Sequence, residues 1–398
     1  MSTTEPSPVP IERFALDPDL HHLNHGSFGG VLHEVRQAQD ALRNECDRDS
    51  MAFFAEVLPE GQQRARAALA DFLGARAEDL VFVRNATEGV AAVMSSLGLG
   101  PDAEVLVNDH EYGACVKAAL RTGARVRSVS IPLPLRDPAE VTREILNGLG
   151  PATKLVLVSH VTSPTGVVFP LEDILDGLAE RGVPALVDGA HAPGMLSLSL
   201  KSLEAKGLAY YVGNLHKWVC APKGIGFLWV RSDLQQHVYP AITSHGHDAE
   251  WPGRSAFQSR FDWSGTDDFS PQLVLPTVLE ALSGMHPEGL SGVRAANRAL
   301  ALEGRQILLD RLGGETLVPA SMMGSMAIVR LPPRGGEPAG PFDTGGLQAA
   351  LHARGFRVPV RSWPAAPERL LRISAHRYNT RGDYVALADA LEEILAAE

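Results

Sequence analysis

Two side chains near the middle of the sequence have the types and the order that cofactor chemistry requires. Lys217 lies in a mostly apolar stretch, where loss of hydration lowers the pKa of an amine and prepares it for imine formation. Asp188 ends the apolar run 183–187, where a buried carboxylate needs a partner such as a protonated pyridine nitrogen. A lone lysine more often extends to water, and a lone aspartate often caps a helix. The two together, each following a predicted strand, favour a shared site.

A third feature could hold a phosphate group. Asn85-Ala86-Thr87-Glu88-Gly89 lies where a predicted strand turns into a helix, so backbone N–H groups and the Thr87 hydroxyl would face an anion. The sequence contains neither G-x-x-x-x-G-K-[ST] nor G-x-G-x-x-G, which disfavours a nucleoside triphosphate or a dinucleotide as the ligand. A reactive lysine, a buried aspartate and a phosphate cradle are together what pyridoxal 5′-phosphate requires.

The elements that would position these residues alternate along the first two thirds of the chain. Short apolar runs predict strands at residues 80–83, 104–107, 125–131, 154–161, 183–187, 209–212 and 226–230. Helical stretches lie between several of them, at 89–97, 112–122 and 171–181. Continuous apolar runs are typical of strands buried on both faces, so we predict a doubly wound α/β fold with a mainly parallel sheet. Ligands of such folds bind beyond the carboxyl ends of the strands, where this chain has the polar groups 85–87, 110–112, 162–163, 188–191 and 214–217.

The sequence changes character after about residue 270. A long helical region at 273–312 precedes strand candidates at 326–331, 356–360 and 370–374, with a Pro- and Gly-rich loop at 332–341. We therefore predict a large cofactor-binding domain at 20–270 and a smaller α+β domain formed by 271–398 together with 1–19.

Composition restricts the partners and the compartment. The 398 residues include 36 Lys+Arg and 47 Asp+Glu, a net charge of −11, and a chain this acidic without a basic cluster is a poor candidate for binding nucleic acid or an anionic membrane. Neither a secretory signal nor an apolar stretch of membrane-spanning length occurs. The cysteines, Cys46, Cys115 and Cys220, cannot form a disulfide framework, and we expect a cytoplasmic protein.

The combined order and spacing of these motifs resemble class V aminotransferase-like enzymes of fold type I, in the branch that includes isopenicillin N epimerase. The resemblance extends from Leu23-Asn24-His25-Gly26-Ser27-Phe28-Gly29 to Leu370-Leu371-Arg372-Ile373-Ser374, almost the whole chain. It implies that pyridoxal 5′-phosphate is the cofactor, that Lys217 holds it covalently and later moves the Cα proton, and that Asp188 keeps the pyridine nitrogen protonated.

The resemblance also implies roles for further residues. The positions that match contacts to the cofactor are Ala86, Thr87, Tyr112, Ser163, His191, Asn214, His216 and Thr266. Three of these depart from the wider class: Tyr112 replaces a ring-stacking histidine, Asn214 a serine, and Ser163 an asparagine facing the phenolic oxygen. Thr266 matches a threonine that reaches the phosphate of a neighbouring subunit, which implies a homodimer.

The substrate is expected to be an amino acid, as a small molecule. Arg372 matches the arginine that binds the substrate carboxylate, a task that suits guanidinium. The segments 23–28 and 244–263 are expected to line the substrate side, with Asn24, His25 and Arg260 as contacts. His245-Gly246-His247-Asp248 is a weak metal motif, and we expect no metal; Cys220 is not expected to carry a persulfide.

Several reactions at Cα remain open, including elimination, epimerisation, transamination and decarboxylation, as does a non-catalytic relative that only binds the cofactor. Epimerisation needs a second acid or base opposite Lys217, which Tyr112 or His25 would supply. Elimination needs only Lys217, a leaving group and space for it. Because the sequence has no clear second base, it favours a carbon–sulfur lyase that acts on an S-substituted cysteine.

Overall fold

The computed structural model describes residues 7–248, 251–334 and 346–398. Its strands, numbered in chain order, are β1 (His21–His22), β2 (Leu80–Val83), β3 (Glu104–Asn108), β4 (Arg125–Val129), β5 (Thr153–Ser159), β6 (Ala185–Asp188), β7 (Tyr210–Asn214), β8 (Gly226–Val230), β9 (Met326–Leu331), β10 (Phe356–Arg357), β11 (Val360–Ser362) and β12 (Arg369–Ser374). Its α-helices are α1 (His25–Phe28), α2 (His33–Arg48), α3 (Ser50–Ala52), α4 (Leu58–Leu73), α5 (Ala86–Ser96), α6 (Gly113–Arg121), α7 (Pro138–Asn147), α8 (Leu171–Ala179), α9 (Leu200–Ala205), α10 (Ala256–Asp262), α11 (Ser270–Leu273), α12 (Leu275–Ser283), α13 (Gly289–Leu312), α14 (Gly346–Ala353) and α15 (Arg381–Ala397).

The central sheet has the strand order β2-β8-β7-β6-β5-β3-β4. Strand β8 is antiparallel to both of its neighbours, and the other neighbouring pairs are parallel. The predicted α/β fold with a mainly parallel sheet is therefore confirmed. Every side chain of β6, β7 and β8 is buried, whereas the edge strand β4 keeps partly exposed side chains.

Each face of this sheet has its own core. In β2, Leu80 and Phe82 belong to one core and Val81 and Val83 to the other, because successive side chains of a strand point to opposite faces. Helices α7 and α8 contribute to the first core, and α5 and α6 to the second. Helices on both faces explain why the strand sequences are continuously apolar.

Several predicted boundaries differ from the structure. Helix α5 begins at Ala86, before the predicted 89, because the Asn85 side chain accepts a hydrogen bond from the Glu88 N–H (3.0 Å) and caps it. The helical region predicted at 273–312 is divided among α11, α12 and α13. The strand predicted at 356–360 is divided into β10 and β11 beside Pro359, which has no N–H to donate.

The C-terminal part forms an antiparallel sheet in the order β11-β12-β9. Strand β1 pairs in parallel with β10, so the chain near its start joins this part of the molecule. The domain boundaries stay a prediction. Of the predicted loop 332–341, residues 335–341 lie outside the described residues. None of the helices in the described ranges is long and apolar enough to cross a bilayer.

Candidate active site

Lys217 lies just beyond the end of β7, in a turn at the carboxyl edge of the central sheet. Its Nζ is 2.9 Å from Nε2 of His191, which follows β6. Burial lowers the pKa of the lysine to about 7; the charge of Asp188 opposes this shift and that of Arg372 adds to it. A large fraction of the amine is therefore neutral near pH 7, as a nucleophile or base must be.

The backbone of the Lys217 turn is held from two sides. The Lys217 carbonyl accepts hydrogen bonds from the Cys220 N–H (3.0 Å) and from His25 Nε2 (3.1 Å). Cys220 has φ +63°, a left-handed conformation that is uncommon for any residue other than glycine. A strained residue of this kind persists only where its surroundings fix it. The backbone of this turn is therefore held in one conformation, which positions Lys217.

His25 lies behind this turn and is buried. Since a carbonyl only accepts, Nε2 of His25 carries the proton, and Nδ1 accepts from the Tyr378 hydroxyl at 3.0 Å. Burial lowers the pKa of His25 to about 3, so the ring is neutral. Both ring nitrogens are thus engaged within the protein, and the side chain supports Lys217 instead of offering a free base to a substrate.

His25 also belongs to a buried His/Cys group. Within the described ranges, the one set of three His, Cys, Asp or Glu residues whose ligand-type atoms all lie within 4.8 Å of one another is His25, Cys220 and His376. The imidazoles of His25 and His376 are stacked, with centroids 3.9 Å apart and planes 10° from parallel. Lone pairs in two parallel planes do not converge on one ion, so this group is built for packing. The weak motif at 245–248 does not form such a group.

Asp188 ends β6 with its carboxylate buried at the same edge of the sheet. One oxygen accepts from the Ala190 N–H (2.9 Å), and the other accepts from the Cys115 thiol (3.2 Å). A carboxylate oxygen has further acceptor capacity, so Asp188 can still accept from a pyridinium N–H. The sequence did not point to Cys115, because its contact depends on how α6 packs against β6.

The predicted phosphate cradle forms where β2 passes into α5. Asn214, at the end of β7, accepts a hydrogen bond from the Ala86 N–H at 2.8 Å, and Thr87 is exposed on the first turn of α5. The buried Nδ1 of His216 has no hydrogen-bond partner among the described residues. Burial, followed by the charges of Lys217 and Lys223, lowers the pKa of His216 to about 4. His216 lies two residues after Asn214, and a buried polar atom without a partner there fits a phosphate oxygen.

Arg372, on β12, joins three distant parts of the chain. Its Nη2 donates to Asn24 Oδ1 (3.0 Å) and Ser27 Oγ (2.9 Å), and its Nη1 donates to the carbonyl of Ser163. Burial, followed by the nearby charge of Arg361, lowers the pKa of Arg372 to about 10. The structure thus brings together the predicted residues Asn24, Ser163 and Arg372. Ser27 was missed, although it lies one helical turn from Asn24 and donates to it at 2.7 Å.

Three predicted residues lie at the margin of this group or away from it. Tyr112 caps α6 with 40% of its surface exposed, and burial of the rest raises the pKa of its phenol. Thr266 is exposed. Arg260, on α10, is buried; it donates to the carbonyls of residues 235, 236, 238 and 256 and covers the ring of Tyr239 at 4.6 Å. Those contacts tie α10 to a neighbouring loop, and its predicted role at the substrate remains an expectation.

The residues at this edge of the sheet fit pyridoxal 5′-phosphate. Lys217 provides an amine, Asp188 an anionic partner for the ring nitrogen, and the start of α5 with His216 a place for the phosphate. The positive charge of Arg372 lowers the pKa of Lys217, and the buried Nε of Arg372 has no hydrogen-bond partner among the described residues. A cofactor that activates amino acids requires this arrangement.

Comparison with known proteins agrees with this geometry. The profile of the family Aminotransferase class-V matches residues 31–263. Isopenicillin N epimerase of Amycolatopsis lactamdurans is 36% identical, covering 96% of this chain and 97% of the relative. A probable chloroplastic L-cysteine desulfhydrase of Arabidopsis thaliana is 28% identical, covering 95% and 84%.

Among solved structures, a mutant of C-DES with glycine covalently linked to its pyridoxal phosphate cofactor matches with a TM-score of 0.80 at 20% identity. The match covers 96% of this chain and 99% of that one, and it supports the fold. The expected family and fold type are confirmed. The chain therefore belongs to the class V aminotransferase family of pyridoxal 5′-phosphate-dependent enzymes.

Proposed function

We propose that this enzyme cleaves the carbon–sulfur bond of an S-substituted cysteine by β-elimination. The observation that carries the proposal is that Lys217 is the available base beside the carboxylate site of Arg372, while both ring nitrogens of His25 are engaged. β-Elimination needs one base, which removes the Cα proton, and a leaving group on Cβ. Epimerisation would need a second acid or base in addition to Lys217.

Each residue then has a defined task. Bound pyridoxal phosphate supplies an electron sink that stabilises negative charge at Cα of the substrate. Arg372 orients the substrate through its carboxylate, and Lys217, once released from its covalent link, takes the Cα proton. Asp188 keeps the pyridine nitrogen protonated, and His191 holds the amine of Lys217 in place. Thr87 and His216 would hold the phosphate at the start of α5, which Asn214 fixes through the Ala86 N–H, and Ser163 would face the ring oxygen.

Amino-acid epimerisation is the second candidate. It is favoured by the 36% identity to isopenicillin N epimerase, which exceeds the 28% identity to the desulfhydrase. Tyr112 would be the second group, since it is partly exposed, close to Asp188, and has a raised phenol pKa that keeps it protonated as a donor. This candidate therefore requires the Tyr112 hydroxyl, whereas elimination does not.

One experiment separates the candidates. The holoenzyme is incubated in deuterated water with S-substituted cysteines and with L- and D-amino acids, alongside the Tyr112→Phe variant. Thiol and pyruvate, formed at similar rates by both proteins, support the lyase. Deuterium at Cα with loss of chirality, abolished in Tyr112→Phe, supports the epimerase; a ketoacid with an aminated cofactor, or CO2 with an aldehyde, overturns both.

We also propose a cytoplasmic homodimer. The support is the resemblance at Thr266, which matches a threonine that reaches a partner's phosphate, and Thr266 is exposed. Free cysteines at 46, 115 and 220 suit a reducing compartment. Sedimentation of the holoenzyme tests the dimer: a monomer at micromolar concentration with full activity contradicts it.

A further inference from the structure

Two further buried polar side chains lie near the Asp188 carboxylate. They are Cys115, in the first turn of α6, and Glu111, in the loop between β3 and α6. Cys115 Sγ lies 3.2 Å from Asp188 Oδ2. Glu111 is close enough for the charge of Asp188 to affect its pKa. Neither side chain has a role in the chemistry described above.

The thiol of Cys115 can only be a donor here. Burial, followed by the negative charge of Asp188, raises the pKa of the thiol, so it keeps its proton. Hydrogen bonding to an ionised carboxylate stabilises the ionised form. The first turn of α6 adds the positive end of a helix dipole on the same side of Asp188.

Glu111 is a second carboxyl group in the same interior. Oε1 accepts from the Ser159 N–H (2.9 Å) and from the Asn108 amide, and Oε2 lies 2.6 Å from the Ser159 hydroxyl. Burial raises the pKa of Glu111 to about 8, and the charge of Asp188 adds to the shift. Ser159, which Glu111 contacts, is the residue of β5 that pairs with Asp188 of β6, so a protonated Glu111 places no second negative charge beside Asp188.

We propose that Cys115 and Glu111 are positioning residues that keep the Asp188 carboxylate anionic and directed at the pyridine nitrogen of the cofactor. Cys115 holds one carboxylate oxygen, and neutral Glu111 avoids a competing charge. The inference rests on the proposed role of Asp188. The titratable groups that surround Asp188 in the described chain are Glu111, Tyr112, Cys115, Tyr211 and Lys217.

The test measures the cofactor directly as well as activity. Holoenzyme variants are compared by the dissociation constant of pyridoxal phosphate from the reconstituted apoenzyme and by the pH midpoint of the visible cofactor band. A positive charge on the ring nitrogen lowers the pKa of a protonated group that is conjugated with the ring. Loss of that charge therefore raises the pH midpoint of the cofactor band. Asp188→Asn is the reference variant that loses the charge.

Cys115→Ala is expected to weaken cofactor binding roughly fivefold or more, as for loss of one hydrogen bond to a charged group, and to shift the midpoint in the same direction as Asp188→Asn. Cys115→Ser, which restores a donor, is expected to stay within about twofold of wild type. Cys46→Ala, on the partly exposed surface of α2, is the matched cysteine control and shifts nothing. Equal behaviour of the Ala and Ser variants at position 115 overturns the role of the thiol.

Glu111→Gln and Glu111→Ala test the second half of the inference. Glutamine keeps the acceptor for Ser159 without a charge, so its midpoint is expected to match wild type, while alanine shifts it. If glutamine shifts the midpoint as much as alanine, Glu111 acts through its charge and this part of the inference fails. If Asp188→Asn itself changes neither observable, the proposed role of Asp188 fails first, so the two failures are distinguishable.

Discussion

The amine of Lys217 accepts a hydrogen bond from His191, with Nζ and Nε2 2.9 Å apart. The indole N–H of Trp218 points at Nδ1 of His191 (3.4 Å), so Nδ1 is the acceptor and Nε2 carries the proton in the neutral ring. Burial, followed by the charge of Lys217, lowers the pKa of His191 and keeps it neutral. A donor at Nε2 requires a lone pair on Lys217, so the tautomer of His191 and the neutral amine are consistent with each other.

Arg372→Lys is expected to lower kcat/KM for the amino-acid substrate by roughly ten- to a hundredfold, because an ammonium cannot bind a carboxylate in the two-pronged way of guanidinium. The loss should appear mainly in KM. Because lysine keeps the positive charge at this position, the absorbance of the bound cofactor should change little. Steady-state kinetics with the substrate that this enzyme turns over fastest measure kcat and KM. An unchanged KM would remove Arg372 from the carboxylate site.

Arg260→Ala separates the expected substrate role of this residue from the one its contacts suggest. Because the guanidinium donates to several backbone carbonyls in a buried place, its removal is expected to destabilise the protein by about 2 kcal/mol. KM should remain close to wild type. Chemical denaturation and kinetics are measured on the same preparation. A raised KM with unchanged stability would support the substrate role instead.

Gly29→Ala is expected to disrupt the cofactor site. Gly29 has φ +66°, and a Cβ there would lie 1.8 Å from the carbonyl oxygen of His216, beside Lys217. The matched control is Gly98→Ala, at φ +58° with nothing within 4 Å of its Cβ, which should cost only about 1 kcal/mol of backbone strain. Cofactor affinity and melting temperature are compared for both variants. Equal, mild effects would show that the close approach at Gly29 is unimportant.

Stability is expected to decrease as the pH falls below about 6.5. Burial lowers the pKa of His160 to about 4 and that of His25 to about 3, so the unfolded chain binds more protons than the folded one in this range. The stabilisation is complete above pH 6.5 and is lost toward pH 4, by up to about 1.4 kcal/mol per pH unit for each group. His160, which lies 2.9 Å from the Tyr211 hydroxyl, is outside the active site, so His160→Gln should reduce the slope without affecting turnover. Chemical denaturation of wild type and His160→Gln at pH 7.5 and pH 5 measures this pH dependence. An unchanged slope in His160→Gln contradicts the role given to His160.

Residues that follow predicted strands were the most predictable part of the site. Asp188, Asn214 and Lys217 could be placed because the carboxyl ends of parallel strands share one edge of a sheet. The turn from β2 into a helix was predictable for the same reason, although α5 begins three residues before the predicted position. The antiparallel direction of β8 was not, since an apolar run has the same appearance in either direction.

What the sequence could not predict depends on contacts between distant parts of the chain. The role of His25 is set by Lys217, 192 positions away, and by Tyr378, 353 positions away. Cys115 is 73 positions from Asp188. Such pairs have no local pattern, because packing of the helices and of the chain ends onto the sheet brings them together.

Identification of the lysine that holds the cofactor tests the account most directly. The holoenzyme is treated with borohydride, which makes the lysine–cofactor link permanent, and is then digested and analysed by mass spectrometry. One pyridoxyl-modified peptide is expected, with the added mass on Lys217, and no modified peptide is expected from Lys217→Ala. Modification of the nearby Lys223 instead, or a wild-type protein that gains neither colour nor mass with added pyridoxal phosphate, would contradict it.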